Sequence, residues 1–217
     1  RYGADILIDV DILLVPQAEA AATVERLNHD DAVHGVIVQL PLTDTSETDR
    51  IVNLVAPEKD VDALGEQAIY DPATPMAILW LLTGHSIELQ GKKVLLVGRG
   101  KLVGAPLEKM LSNSGVDVTV ADRSTKDLKA ETLKADVIIT ATGSAGVITA
   151  DMIKPNAVVV DAGTASEGGK TVGDLAADVY ERDDIIVTPQ KGGVGPLTVC
   201  ALFDNVIRAA RAKAEAK

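Results

Sequence analysis

The stretch from Lys93 to Asn113 constrains the fold more than any other part of the chain. Lys93 to Val97 is a short apolar run. Gly98-Arg99-Gly100-Lys101-Leu102-Val103-Gly104 follows it directly, and a helical pattern runs from Ala105 to Asn113. Strand, glycine turn and helix in that order make the first turn of a dinucleotide-binding βαβ unit. There, glycines allow a tight turn and a close approach of backbone to a pyrophosphate, and the helix start offers N–H groups and the positive end of its dipole. The spacing is GxGxxxG, one residue longer than the common fingerprint. The other reading is a glycine-rich turn that only packs.

The remaining pattern extends this unit. Val116 to Ala121, Ala135 to Ala141, Ala157 to Asp161 and Ile185 to Thr188 read as strands, and Pro196 to Ala214 as a long helix. In the first half, Ile6 to Val15 and Val33 to Leu40 read as strands, and Glu19 to Leu27, Thr48 to Val55 and Thr74 to Leu82 as helices. Strands alternating with helices imply right-handed crossovers and a parallel sheet. Hydrophobic residues make up 47% of the 217 but aromatics only 2%, so the core must be built from Val, Ile, Leu and Ala. That suits strands buried on both faces.

Charge and cysteine usage exclude several classes. A formal charge of -11 disfavours non-specific binding to nucleic acid or anionic membrane. No apolar stretch is long enough to span a bilayer. Cys200 is the only cysteine, so no intrachain disulfide forms; this fits a reducing, cytoplasmic compartment. Cys200 is expected in the core rather than as a nucleophile. His29, His34 and His85 have no partners at ligand spacing, so no metal site is expected. The chain begins at Arg1 rather than Met, and the true start is expected ahead of it.

Other candidates sit at predicted strand ends, where parallel sheets bind ligands. Asp122, Arg123 and Ser124 follow the second strand of the βαβ unit, where the adenosine ribose is read. Asp122 would accept from both ribose hydroxyls of NAD, whereas Arg123, Ser124 and Lys126 would attract the 2′-phosphate of NADP. A solvated, helix-capping turn is the alternative. Gly143 and Thr164 follow the next two strands. Lys191-Gly192-Gly193-Val194-Gly195-Pro196-Leu197-Thr198 either cradles a ligand or caps the last helix. Gln39 ends a strand beside Pro41 and can orient an amine or carbonyl. Asp62, in Lys59-Asp60-Val61-Asp62, could accept from the amino group and ring nitrogen of a pterin, or be part of a charged loop.

HGVIVQLPL, KDVDAL, PATP, GRGKLVGAPL and GGVGPLT occur in that order, and nearly the whole chain resembles the bifunctional methylene-tetrahydrofolate dehydrogenase/methenyl-tetrahydrofolate cyclohydrolase family. The resemblance implies an α/β fold of two domains with a cleft between them. The expected folate-binding domain is 1–85 completed by 196–217, and the expected Rossmann-like domain is 86–195. It implies oxidation of methylene-tetrahydrofolate with NADP, NAD being the alternative, then hydrolysis to 10-formyl-tetrahydrofolate in one-carbon metabolism, by a homodimer. Gln39 matches the glutamine that tunes an active-site lysine, and Asp62 the aspartate that grips the pterin. Gly98, Arg99, Gly100 and Gly104 match the cofactor loop, Arg123 the side chain near the 2′-phosphate, and Thr164 the residue beside the nicotinamide. Gly193 and Pro196 match the loop over the folate.

The chain also departs from the family. Gly100 replaces a Ser, Ala63-Leu64 a Gly-Phe, Ala73 a Cys, Gln190-Lys191 a Val-Pro, and Asp122 a His. The family's catalytic Tyr and Lys are expected ahead of Arg1, since Tyr2 has Ile6 four residues on. Two alternatives remain on the residues alone: a related dehydrogenase of another small substrate, and a non-catalytic paralogue that binds folate or nucleotide.

Overall fold

Short apolar runs build a parallel sheet in the second half of the chain. In this computed structural model, which describes residues 2–167 and 170–216, the strands are β1 (Val94–Val97), β2 (Val118–Ala121), β3 (Val137–Thr140), β4 (Val158–Asp161) and β7 (Ile186–Val187). An antiparallel ribbon of β5 (Ala165–Glu167) and β6 (Lys170–Val172) lies between β4 and β7 in sequence. The helices are α1 (Tyr2–Asp5), α2 (Gln17–His29), α3 (Thr48–Val52), α4 (Ala73–Gly84), α5 (Gly104–Asn113), α6 (Leu128–Thr132) and α7 (Val194–Glu215).

The sheet order is β2-β1-β3-β4-β7, all parallel, with Val94 paired to both Val118 and Val137. The chain goes from β1 outward to β2 on one side and then returns to β3 on the other. The topological switch point therefore lies between β1 and β3, where such sheets bind ligands. β1 and β3 are buried along their whole length. Alternate residues feed two cores. Val94, Leu96, Val137 and Ile139 pack with Ala77, Ile78 and Leu82 of α4 and Leu107 and Leu111 of α5. Leu95, Val97 and Ile138 pack with Ile148, Ile153, Leu175 and Val179 on the other face. A fully buried side chain such as Leu96 contributes about 1.5–3 kcal/mol, so the four-residue apolar runs suffice to hold the sheet.

The chain packs as two units, Arg1–Ala73 with Ala201–Lys217, and Thr74–Cys200. Because α4 buries its apolar face in the core over β1 and β3, the second unit starts one helix earlier than the expected boundary near residue 85.

The first unit departs most from expectation. Neither Ile6 to Val15 nor Val33 to Leu40 is a strand. A strand needs a neighbour for its backbone ladder, and among the described residues these segments find only isolated bonds. Val36 N–H donates to Lys59 O at 2.8 Å and Ile8 N–H to Gly3 O at 2.8 Å. Alternating apolar residues are present, but Ile12 and Leu14 are 82% and 94% exposed. The unit is held instead by small clusters, Val24 with Val36 and Val55, and Val61 with Tyr70 and Ala209. Cys200 is exposed, against expectation. The buried positions of α7 include Val194, Ala201, Asn205 and Ala209, a stripe that leaves residue 200 off the packed face. Among the described residues, no helix is long and apolar enough to cross a membrane and no His/Cys/Asp/Glu group could hold a metal.

Candidate functional site

The glycine loop sits at the switch point. Gly98 has φ +102°, donates its N–H to Ala121 O at 2.8 Å, and a Cβ there would lie 2.5 Å from Ala141 O. A Cβ on Gly104 would lie 2.1 Å from Gly98 O. These two glycines are therefore required by packing, and they press the start of α5 against the end of β1. Gly100 differs: nothing lies within 4 Å of its Cβ position. Its face is the one a pyrophosphate could approach. No side chain caps α5, since Val103 holds the N-cap position. The loop thus fits a dinucleotide: the start of α5 keeps its N–H groups free of any side-chain cap beside the open face of Gly100.

Asp122 and its neighbours come next, at the end of β2. The Asp122 carboxylate accepts from Ser124 N–H at 2.8 Å and Ser124 Oγ at 2.6 Å. The Ser124 hydroxyl and then its N–H hold Asp122 below the usual carboxylate range, with the Arg99 charge adding a little. Arg99 is tied to Glu108 of α5, Nε to Oε2 at 2.7 Å and Nη2 to Oε1 at 3.3 Å. Arg123 is exposed and has no ion pair among the described residues.

The loops after β3 and β4 are joined by two carboxylates. Asp174, fully buried, accepts from Thr142 N–H at 2.7 Å and Ser144 N–H at 3.0 Å. Asp161 accepts from Gly163 N–H at 3.0 Å, Asp174 N–H at 3.0 Å, Leu175 N–H at 3.2 Å, Thr140 Oγ1 at 3.3 Å and Tyr180 Oη at 3.2 Å. Backbone N–H groups thereby compensate charges that burial would otherwise penalise. Burial, then the Asp161 charge, pushes the Tyr180 hydroxyl well above its ordinary value, so it stays a donor. The arrangement brings Gly143 and Thr164 together, with a Cβ on Gly143 3.6 Å from Thr164 O. Asp161 opens the strand-end string Asp161-Ala162-Gly163-Thr164, but Asp174 lies in no motif, and the two meet only after the β5–β6 ribbon returns the chain.

In the first unit, Lys59 is 5% exposed and donates to Leu27 O, Asn28 O and Asp30 O at 2.8, 2.8 and 2.7 Å. It neutralises the C-terminal dipole of α2. Desolvation, then the charge of Lys213, pulls its pKa down. Asp60 accepts from Leu64 N–H at 3.3 Å and Gly65 N–H at 2.8 Å, shaping the following turn. Asn205 of α7 clamps the same turn, donating Nδ2 to Val61 O and Asp71 O at 2.9 Å each. Asp62 stands between these anchors, half-buried and without a hydrogen bond or ion pair among the described residues. Burial first, and the charge of Asp60 second, raise its carboxyl above the usual range. A shielded carboxylate lacking protein donors is ready to take them from a ligand. Ala63, next to it, has φ +55°. Gln39 is exposed and donates Nε2 to its neighbour's carbonyl, Leu40 O, at 2.9 Å. Gly193 lies 3.3 Å, measured from its Cβ position, from Pro189 O in the turn that starts α7, and Pro196 is exposed in the first turn. Gly193 and Pro196 belong to the second unit, whereas Gln39 and Asp62 belong to the first.

The tetrahydrofolate dehydrogenase/cyclohydrolase NAD(P)-binding domain matches residues 72–214, and the catalytic domain of the same family matches residues 9–62. The chain belongs to the tetrahydrofolate dehydrogenase/cyclohydrolase family. It is 37% identical to the bifunctional protein FolD of Paraburkholderia xenovorans, an alignment covering 100% of this chain and 76% of that protein. The solved bifunctional FolD of Campylobacter jejuni is 37% identical with TM-score 0.83, covering 92% of this chain and 74% of that one. The Trypanosoma brucei dehydrogenase-cyclohydrolase, solved with NADP cofactor and an inhibitor, is 31% identical with TM-score 0.84, covering 92% of this chain and 74% of that one. Like these family members, the chain has a mixed α/β fold with a parallel sheet and a nicotinamide-dinucleotide-binding domain.

Proposed function

We propose that this protein oxidises 5,10-methylene-tetrahydrofolate to the 5,10-methenyl form with NADP, and hydrolyses that product to 10-formyl-tetrahydrofolate. The observation that carries the reading is the Gly98–Gly104 loop at the switch point of a sheet matched throughout by the family's NAD(P)-binding domain. The nicotinamide supplies the hydride acceptor. The chain's own residues bind and orient. Gly98, Gly100 and Gly104 of the cofactor loop seat the pyrophosphate, Arg99 of the same loop with Asp122, Arg123 and Ser124 the adenosine ribose, and Gly143 and Thr164 the nicotinamide end. Hydride transfer then depends on proximity more than on acid–base help.

In the first unit Asp62 grips the pterin, as a carboxylate shielded from water and without protein donors can. Gln39 tunes the protonation of an active-site lysine by hydrogen bonding, and Gly193 and Pro196 line the folate. The cyclohydrolase step adds water to the methenyl carbon and opens the ring, which requires a proton shuttle of the kind such a lysine provides. The proposal extends to a cytoplasmic homodimer, on the lone cysteine and the family likeness. Arg123, exposed and unpaired among the described residues, supports NADP.

The test is kcat/KM for NADP and NAD with methylene-tetrahydrofolate, in wild type and Arg123→Ala. The variant should lose about 1.5–3 kcal/mol of NADP affinity and little for NAD. A wild type that prefers NAD and an Arg123→Ala variant that behaves identically would reverse the NADP assignment.

A further inference from the structure

The Arg99–Glu108 pair lies where the cofactor's adenosine end is expected, yet Glu108 has no part in the core. On α5 the fully buried residues are Gly104, Leu107 and Leu111, and Glu108 is partly buried beside them, its side chain 26% exposed. Its carboxylate reaches back to the loop and holds the Arg99 guanidinium on two nitrogens, at 2.7 and 3.3 Å. The pair lines a surface depression together with Ala105, Lys109 and Ser112. Because Gly98 N–H bonds Ala121 O at 2.8 Å, Arg99 and Asp122 are the next residues out from that junction, one on each side. In a dinucleotide fold this is where the ribose 2′ position is read, by an acid for a hydroxyl or by an arginine for a phosphate.

We infer that Glu108 is a specificity-determining residue: by holding Arg99 it competes with a cofactor 2′-phosphate for that guanidinium and lowers the use of NADP relative to NAD. The inference rests on the reading above that this loop binds a nicotinamide dinucleotide. A phosphate monoester carries nearly two negative charges at neutral pH and pairs with a guanidinium on two nitrogens, as a carboxylate does. Glu108 already fills that fork. A 2′-phosphate must displace the carboxylate or share the guanidinium with it, and in either case it lies close to a like charge, with Asp122 adding a second. NAD brings a neutral hydroxyl to the same place and meets no such opposition. The Glu108 position in the second turn of α5 also makes a purely dipole-related role weak, since that field falls off within the first turn.

The test uses the full chain and Glu108→Gln, which keeps the volume and removes the charge. Affinities for 2′,5′-ADP and for 5′-ADP, measured by calorimetry, isolate the 2′-phosphate. Kinetic constants for NADP and NAD report the same preference during turnover. Affinity for 2′,5′-ADP and kcat/KM for NADP should both rise roughly tenfold, the scale of relieving one like-charge contact at a partly exposed site. Values for 5′-ADP and NAD should stay within about twofold. The gain should shrink at high salt and should vanish in an Arg99→Ala background. An unchanged NADP preference, a parallel rise for both cofactors, or a full gain without Arg99 would each overturn the inference. Those outcomes leave the dinucleotide reading intact. Failure of wild type to bind either nucleotide would remove that reading and the inference with it.

Discussion

Asp174→Asn should loosen both loops that follow β3 and β4 while leaving the first unit untouched. Asn matches Asp in size, so the change alters hydrogen bonding and charge without opening a cavity. Asp174 is fully buried and accepts Thr142 N–H at 2.7 Å and Ser144 N–H at 3.0 Å. Asn can offer its oxygen to one of these donors but turns an NH2 group toward the other. One charge-assisted bond is lost, one is weakened to a neutral bond, and a buried N–H is left facing a donor. With charged hydrogen bonds at about 1.5–3 kcal/mol and neutral ones near 1, the net loss should be about 2–4 kcal/mol. Trp80, the sole tryptophan, lies on α4 in the same unit, so its fluorescence in urea reads this transition. NADP and NAD affinity should fall together, because in the proposed function the loops of Gly143 and Thr164 serve the part common to both. A stability loss under 1 kcal/mol, or unchanged nucleotide affinity in the folded variant, would refute the claim that these carboxylates hold the cofactor loops.

Two further outcomes concern the turn around Asp62. The raised folded pKa means that, as pH climbs, the unfolded chain releases this proton first, near the ordinary value of about 3.9, so Asp62 lowers stability from there through its folded pKa. Asp62→Asn should therefore raise the thermal midpoint at pH 7, with the gain gone below about pH 4, and should weaken folate binding by about 1.5–3 kcal/mol; a pH-independent difference, or full folate affinity, counts against the assignment. Ala63→Gly should relieve the left-handed backbone at φ +55° and stabilise the protein by ~0.5–1 kcal/mol in urea denaturation, whereas a loss would show that the methyl group packs favourably.

The sheet of the second unit could be read from the sequence because each of its strands finds its partners within a few dozen residues. Its core also alternates residue by residue: Val94 and Leu96 serve one face, Leu95 and Val97 the other. The glycine loop was legible for the same local reason. The first unit was not, since Val33 to Leu40 has a strand's alternation but no ladder beside it among the described residues. The short helix Leu128–Thr132 and the ribbon of β5 and β6 carry too few residues to show a period. Asp62 stood out through the motif it shares with Lys59 and Asp60, but the distant anchor of its turn, Asn205, did not. Asn205 lies 144 residues from Val61, and nothing in a helical run of small residues marks one amide as buried.

Asp161, Asp174, Gly163 and Gly173, around the loop after β4, are locked crosswise. A Cβ on Gly163 would lie 2.0 Å from the Asp174 carboxylate, and one on Gly173 would lie 2.0 Å from that of Asp161. Neither loop can therefore be exchanged alone. A chimera with a relative that breaks the chain between 163 and 173 joins a carboxylate from one parent to a glycine turn from the other, and any difference in their spacing puts atoms in the same place. Crossovers placed before Thr140 or after Tyr180 carry the lock across intact. Residues 140–180 are in this sense a single inherited cassette, and recombination libraries built on this fold should recover active progeny preferentially with both ends of it from one parent.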